Sequence, residues 1–450
     1  MFPPSAPATA GHSAVVPQPV AQTERIVAMD ALRGFALLGI LLMNIVAMGM
    51  YGASYDDPTV TGGSTGANLW VWTVMHVLAE GKMRCLFSLV FGASVVLLMG
   101  RMSARPEAAD IYYRRTLWLL LFGIVHAYLL WAGDILYPYA LCALALYPFR
   151  NLRPKTLLVV GGILVLINAA AYIGHGFEQR EMLEKGQAAV QASAAGRKLT
   201  SDEEDAKKAY DDWRKFSKPT AEEIAKDATE WRGSVFSVIK ARAKVVSFFH
   251  SFPYYHPFNW DMWSMMLIGM GLLKLGVLSG ERSNKLYAWF AIAGYGIGVP
   301  VNSYTAWLMI SHNFDPVMHE FAASAYDLGR LSVALGHLGV IMLLAKSGLF
   351  RPLVSALAAV GQTALSNYIL TSIITAVIFT GYGFELYGTL QRYQLYYVVA
   401  GVWVVNLVVS PLWLRSFRFG PIEWCWRSLT YWKRQPMRRE AVAGVPVAAL

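Results

Sequence analysis

Runs of about twenty apolar residues recur along this chain, and each is long enough to cross the ~30 Å hydrocarbon core of a bilayer as a helix. Their residues are apolar on all sides. A membrane strand would alternate apolar and polar positions with period two, so the pattern argues against a barrel. The runs predict helices over residues 30–50, 84–100, 116–133, 134–149, 156–174, 259–278, 285–310, 321–345, 354–380 and 395–415. Only 15% of the residues are charged, against about 25% in a soluble domain. The expected fold class is therefore all-α: a polytopic transmembrane bundle of about ten helices, with the lipid bilayer as its first partner.

The formal net charge of +10 points to topology rather than to nucleic acid. Lys and Arg gather in alternate connections: Arg101, Arg105, Arg114 and Arg115; Arg150, Arg153 and Lys155; Arg282 and Lys285; Lys346 and Arg351; Arg415, Arg418 and the stretch from Lys433 to Arg439. Basic connections stay in the cytoplasm, which places both termini there, in agreement with an even helix count. In a bacterium this is an inner-membrane, multi-pass arrangement.

Five segments follow. Residues 1–24 are rich in Pro, Ala and Ser and read as a disordered tail; residues 25–174 form an N-terminal five-helix half. Residues 175–257 form a long outer loop, whose mixed charges at helical spacing predict a small helical cap. Residues 258–435 form a C-terminal five-helix half, and 436–450 a basic-to-apolar tail. The outer segment 51–83 carries Trp70 and Trp72, which suit a helix at the membrane interface. Cys85, Cys142 and Cys425 form no CxxC pair and sit in or beside apolar runs, so neither a disulfide framework nor a metal site is expected. No P-loop, GxSxG or HExxH motif is present, and no cofactor is required by the pattern.

Ionisable residues inside apolar helices are costly and mark candidate sites. His126 lies in the stretch LLLFGIVHAYLLWAGDILYPYAL, with Asp134 at the helix junction and Tyr137 and Tyr139 beyond it. The junction at Gly133-Asp134 implies a tight hairpin or a bent re-entrant element. On one straight helix His126 and Asp134 would be ~12 Å apart, so direct contact needs a break at Gly133 or a substrate between them. An imidazole in a polar cavity can serve as a general base. Asp30 and Arg33 share a face near the cytoplasmic end of the first helix, where Arg33 suits an anion or a cofactor phosphate. Arg330 and His337 share a face seven residues apart and, with Ser366-Asn367-Tyr368, are expected to line a cavity with His126, or to bond neighbouring helices together. His76 precedes Glu80 by four residues, a spacing that lets a carboxylate orient an imidazole.

Five stretches in this order, DALRGFALLGILLMNI, GKMRCLFSLVFGAS, FGIVHAYLLWAGDILYPYAL, GQTALSNYIL and GPIEWCWRSLTY, resemble the YeiB-like inner-membrane family, catalogued as a domain of unknown function, DUF418. The resemblance runs from about residue 24 to 435, the long outer loop excepted, and Gln362-Thr363 stand where the family pattern has an Arg-Met pair. The last stretch places Glu423, Trp424 and Arg427 at the cytoplasmic end of the bundle. The Arg-Gly after an Asp in the first helix is also similar to the start of transmembrane acyltransferases of the heparan glucosaminide acetyltransferase type. That resemblance implies transfer of an acyl group from a cytoplasmic donor, such as acetyl-CoA or another acyl-CoA, to a small-molecule acceptor across the membrane by way of a histidine in the bundle. His126 is preferred to His76 for that role, with Asp134 orienting the acceptor or stabilising the imidazolium, and Arg33 and Asp30 at the donor's phosphates. Tyr137, Tyr139, Arg330, His337 and Asn367 are then candidate substrate contacts. A transporter would use His126, Asp134, Arg330 and Asn367 as a midplane path for a solute or proton. The sequence does not give an oligomeric state.

Overall fold

The computed structural model describes residues 26–102 and 106–439. The expected tail 1–24 and residues 440–450 of the expected C-terminal tail lie outside them. Among the described residues there are seventeen α-helices and no strands. In chain order they are α1 Val27–Gly49, α2 Gly66–Leu78, α3 Lys82–Met102, α4 Ala108–Leu129, α5 Leu136–Leu146, α6 Pro154–Ala194, α7 Ser201–Ser217, α8 Ala221–Trp231 and α9 Val235–Phe249. They continue as α10 Phe252–Lys274, α11 Asn284–Ser311, α12 Pro316–Ala323, α13 Tyr326–Ser347, α14 Arg351–Gln362, α15 Ala364–Phe379, α16 Arg392–Ser416 and α17 Pro421–Tyr431.

Every one of the ten expected segments is helical, but the number of membrane-capable spans is smaller. Five helices, counting α2 and α3 as one, are long and apolar enough to cross a bilayer, or six if α14 and α15 together make one bent span. With 11 residues, α5 is ~16 Å long, about half a bilayer core. The helix expected over 354–380 is broken at Thr363, where α14 and α15 meet at 86°. Side chains supply the backbone bonds that this break frees. Asn367 donates to the carbonyl of Val360 (3.2 Å) and to Thr363 Oγ1 (3.0 Å), and Thr363 Oγ1 donates to the carbonyl of Ala359 (2.9 Å). On the other side of the break, Glu423 of α17 accepts from the Leu365 and Ser366 amides at 2.6 and 3.1 Å. A broken helix persists in an apolar medium only with such partners.

The bundle is held by close backbone approaches at small residues. A Cβ on Gly361 would run into the carbonyl oxygen of Asp30, and one on Gly34 into that of Leu357, which packs α1 on α14. Gly92 and Gly269 bring α3 and α10 together in the same way. Gly361→Ala is accordingly expected to cost ~1–3 kcal/mol, the range for overpacking. Thermal unfolding in detergent would check this. Gly401→Ala is the control: Gly401 has open space around its Cβ position, so that change should not lower the melting temperature.

The segment expected as an outer loop from 175 onward begins inside a helix: α6 runs unbroken to Ala194. Helices α7 and α8 each start with a full capping box, Thr200–Glu203 and Thr220–Glu223. Hydrogen bonding from Arg197 holds the Glu203 carboxylate down to about 2, and Arg214 does the same for Glu223. This region is tied to the bundle. Lys218 pairs with Asp57, Arg232 Nε donates to the carbonyl of Tyr387 (2.7 Å), and Arg242 donates to the carbonyl of Leu129 at the end of α4 (2.6 Å).

Candidate functional site

A cavity of about 270 Å³ opens at the end of the bundle where α1 and α15 begin and α17 packs. Along α1 it reaches from Ile26 to Ile40, a depth of ~21 Å. Arg33, Arg101, Arg115 and Arg427 line its basic end. Leu37, Phe87, Ile135, Leu136 and Tyr368 line its inner part. Arg33 donates to Asp30 at 2.7 Å and to Ser94 at 3.1 Å, which fixes its guanidinium in the wall. The Arg115 guanidinium lies over the Trp426 ring at 3.6 Å, a cation–π contact that leaves its N–H groups directed elsewhere. Both acids in the lining are engaged: Asp30 pairs with Arg33, and Glu423 caps α15. The mouth therefore presents net positive charge.

Behind the inner end of this cavity lies a buried hydrogen-bond chain. His126 Nδ1 is 2.7 Å from Asp134 Oδ1, and His126 Nε2 is 2.8 Å from Ser372 Oγ. The local fold brings the pair together. Helix α4 ends at Leu129, the chain turns at Ala132-Gly133, and α5 begins beside Gly123, where a side chain would meet the Tyr137 backbone. The break thus occurs four residues before Gly133, and it replaces the ~12 Å of a straight helix by direct contact. Asp134 also accepts from the Tyr137 amide through Oδ2 (2.7 Å), so both carboxylate oxygens are held. A neutral imidazole donating from Nδ1 to Asp134 leaves Nε2 as the acceptor for the Ser372 hydroxyl. The Tyr368 ring separates this chain from the cavity: it lines the cavity and its centroid is 4.7 Å from that of His126.

The other expected residues divide among different places. Tyr139 lines the cavity and shares a 2.6 Å hydrogen bond with Ser88. Tyr137 stacks on His250, 4.0 Å between centroids. Asn367 holds the helix break and bonds Ser410 of α16 at 2.8 Å. Arg330 and His337 do share α13, but neither lines the cavity, and they are not joined to His126. His337 sits between the Tyr295 hydroxyl (2.7 Å) and the carbonyl of Leu78 (2.9 Å). Arg330 belongs to a buried ionic cluster. It pairs with Asp261 and with Asp327 (2.5 Å), Arg84 pairs with Asp261 (2.9 Å), and Asn168 donates to Asp327 (2.8 Å). His76 does not meet Glu80, because α2 ends at Leu78 between them. Its Nε2 lies 2.9 Å from Thr305 Oγ1, and Glu80 accepts from Tyr326.

The chain is similar in sequence to known proteins over nearly its whole length. The chain is 30% identical over 437 residues to "Uncharacterized protein YxaH" of Bacillus subtilis (strain 168), covering 94% of this chain and 98% of that one. It is 29% identical over 414 residues to "Uncharacterized protein YeiB" of Escherichia coli (strain K12), covering 90% and 96%. The family model described as "Protein of unknown function (DUF418)" matches residues 272–433. The chain belongs to the YeiB-like DUF418 family. No solved structure matches it at a significant level.

Within this DUF418 chain the matched segment supplies Tyr368, Ser372 and Glu423, while His126 and Asp134 come from the segment before it. Sequence reasoning missed Ser372, Arg115, Asp261 and Asp327. Asp261 and Asp327 were visible as acids in apolar runs. Ser372 carries no signal in its spacing, because a membrane-helix serine ordinarily bonds the carbonyl four residues back, as Ser372 also does to Tyr368 (3.2 Å).

Proposed function

We propose that this DUF418 protein is a multi-pass acyltransferase of the bacterial inner membrane. The basic end and both termini face the cytoplasm, by the distribution of Lys and Arg. An acyl-CoA enters the cavity from that side, with its phosphates on the arginines and its pantetheine arm along the apolar wall. The acyl group passes to an acceptor at the outer face. The observation that supports this reading most is the order of groups along the cavity: four arginines at the mouth, an apolar channel, and then a His–Asp pair behind Tyr368. Arg matches phosphate geometry better than any other side chain. Dry apolar walls keep water from a thioester. His126 would act as the base, and Asp134 would hold its tautomer and stabilise the imidazolium.

Calorimetric titration of the detergent-solubilised protein with acetyl-CoA tests the donor site. Binding is expected in the micromolar range. Arg115→Ala should weaken it about tenfold or more, as for loss of a charge-assisted contact of ~1.5–3 kcal/mol. Arg115 suits this test because its guanidinium is stacked on Trp426 and makes no salt bridge among the described residues. A folded protein with no affinity for acetyl-CoA would overturn the donor assignment.

The second reading is transport of a small solute, and the break between α14 and α15 favours it, since broken helices form transporter sites. In those sites the freed helix ends face the substrate. Here Glu423 occupies the start of α15, which ranks transport second. Solute flux into proteoliposomes without any acyl donor would reverse the order.

A further inference from the structure

The buried chain lies between two openings. Along α15, Leu365 and Tyr368 line the arginine-mouthed cavity, Ser372 follows one turn later, and Thr375 and Ala376 line a second, small crevice. Along α4 and its C-cap the order repeats: Leu119 lines the cavity, His126 follows, and the C-cap Leu130 lines the crevice. Trp131 and Arg242 also line the crevice, and its volume of about 20 Å³ has room for one water-sized group. Among the described residues, the Trp131 Nε1–H and the Arg242 Nε–H have no acceptor, and Arg242 is only 1% exposed. Buried donors without partners are rare in folded proteins. Two of them in one crevice suit an oxygen brought in by a ligand.

From this placement we infer that Ser372 is a nucleophile. It takes the acyl group from the cavity side as a serine ester and releases it to a hydroxyl acceptor on the crevice side. The inference rests on the acyltransferase reading and assigns it a double-displacement course. In the first half, Ser372 Oγ forms a bond to the thioester carbonyl carbon while its proton moves to His126 Nε2. The carbon–sulfur bond then breaks, and the thiol leaves with that proton. In the second half, the acceptor hydroxyl gives its proton to His126 Nε2 and attacks the ester carbon. The bond to Ser372 Oγ breaks, and the proton returns to Ser372. Asp134 stays ionised throughout and stabilises the transient imidazolium. The Tyr368 hydroxyl accepts from the Ile135 amide (3.2 Å) and, among the described residues, donates its own hydrogen to no acceptor. Ser372 and His126 are each 1% exposed, so the Tyr368 ring must swing aside to admit the thioester. Because donor and acceptor meet the serine from opposite sides, neither has to cross the partition.

Two measurements test this. The first needs no donor: the purified full chain is treated with a fluorophosphonate probe and the labelled peptide is mapped by mass spectrometry. Labelling is expected at Ser372, absent in Ser372→Ala and reduced in His126→Gln. Absence of label from folded wild-type protein overturns the nucleophile assignment. The second uses radiolabelled acetyl-CoA without acceptor. Wild-type protein is expected to retain label as an ester, and Ser372→Cys, nearly isosteric, to retain it as a thioester released by neutral hydroxylamine. If Ser372→Ala transfers acetyl at the wild-type rate, the serine relay fails while the acyltransferase reading stands. If fluorophosphonate labels Ser372 but acetyl-CoA neither binds nor reacts, the nucleophile stands and the acyl-CoA donor falls.

Discussion

On the proposed acyl transfer, replacing His126 with glutamine is expected to lower the rate from acetyl-CoA by about 10²–10⁴-fold, the range that a positioned general base contributes. Glutamine keeps a polar group beside Asp134 and Ser372, so the buried carboxylate is not stranded and the bundle should stay folded. The loss should fall on kcat. His126 does not line the arginine-mouthed cavity, so KM for the donor should change little; a change confined to KM would instead mean removal of binding shared by ground and transition states. Asp134→Asn should give a comparable loss for a different reason. An amide can donate to Nδ1, which moves the imidazole hydrogen to Nε2 and removes the acceptor that faces Ser372. Initial rates in proteoliposomes would show this, with thermal unfolding run alongside. Transfer by His126→Gln within about twofold of wild type, a barrier change well below ~1 kcal/mol, would remove His126 from the chemistry.

Asp261→Ala is expected to destabilise the protein by ~3–5 kcal/mol, the range for breaking a buried ion pair from one side. Asp261 joins Arg84 of α3 to Arg330 of α13, and its loss takes a buried counterion from both arginines. Asp327 already pairs with Arg330 and accepts from Asn168. Replacing a pair together, Asp261→Leu with Arg84→Met, removes one charge of each sign and should recover most of the loss. Chemical or thermal unfolding in detergent measures both. A single variant as stable as wild type would mean that water or lipid headgroups reach the cluster. The cluster is a fastening between helices and has no part in the proposed transfer, so acetyl-CoA affinity should survive in the double variant.

The sequence displayed each element whose signal is local. Apolar runs located ten helical segments, and acids and bases inside them marked His126, Asp134, Arg33 and Arg330. What it concealed depends on contacts far apart in the chain. The break at Thr363 is stabilised by Glu423, sixty residues later, so nothing in the run 354–380 announces it. The short α5 follows from Gly123, which lets α5 start against α4; periodicity has no term for that approach. His76 and Glu80 had helical spacing, but the helix ended between them. Arg330 and His337 did fall on one helix, yet a common helix does not imply a common neighbour. Ser372 became visible only when α15 was laid beside α4, because its role depends on which imidazole it faces.

The length of α6 has a further mechanical consequence. Its 41 residues make a rod ~60 Å long, about twice the hydrocarbon core. Helix α7 packs back against the far part of this rod, where Tyr210 sits on Gly186. A continuous helix transmits rotation as well as height. One residue inserted near residue 176 would turn everything beyond it by ~100° and lift it by ~1.5 Å, which would twist Lys218 away from Asp57 and Arg242 away from Leu129. Seven residues would come within ~20° of the original heading, but ~10 Å higher. The rod thus sets the azimuth at which Arg242 arrives over the end of α4, and the geometry of the Trp131 crevice depends on a count of residues made far away along the chain.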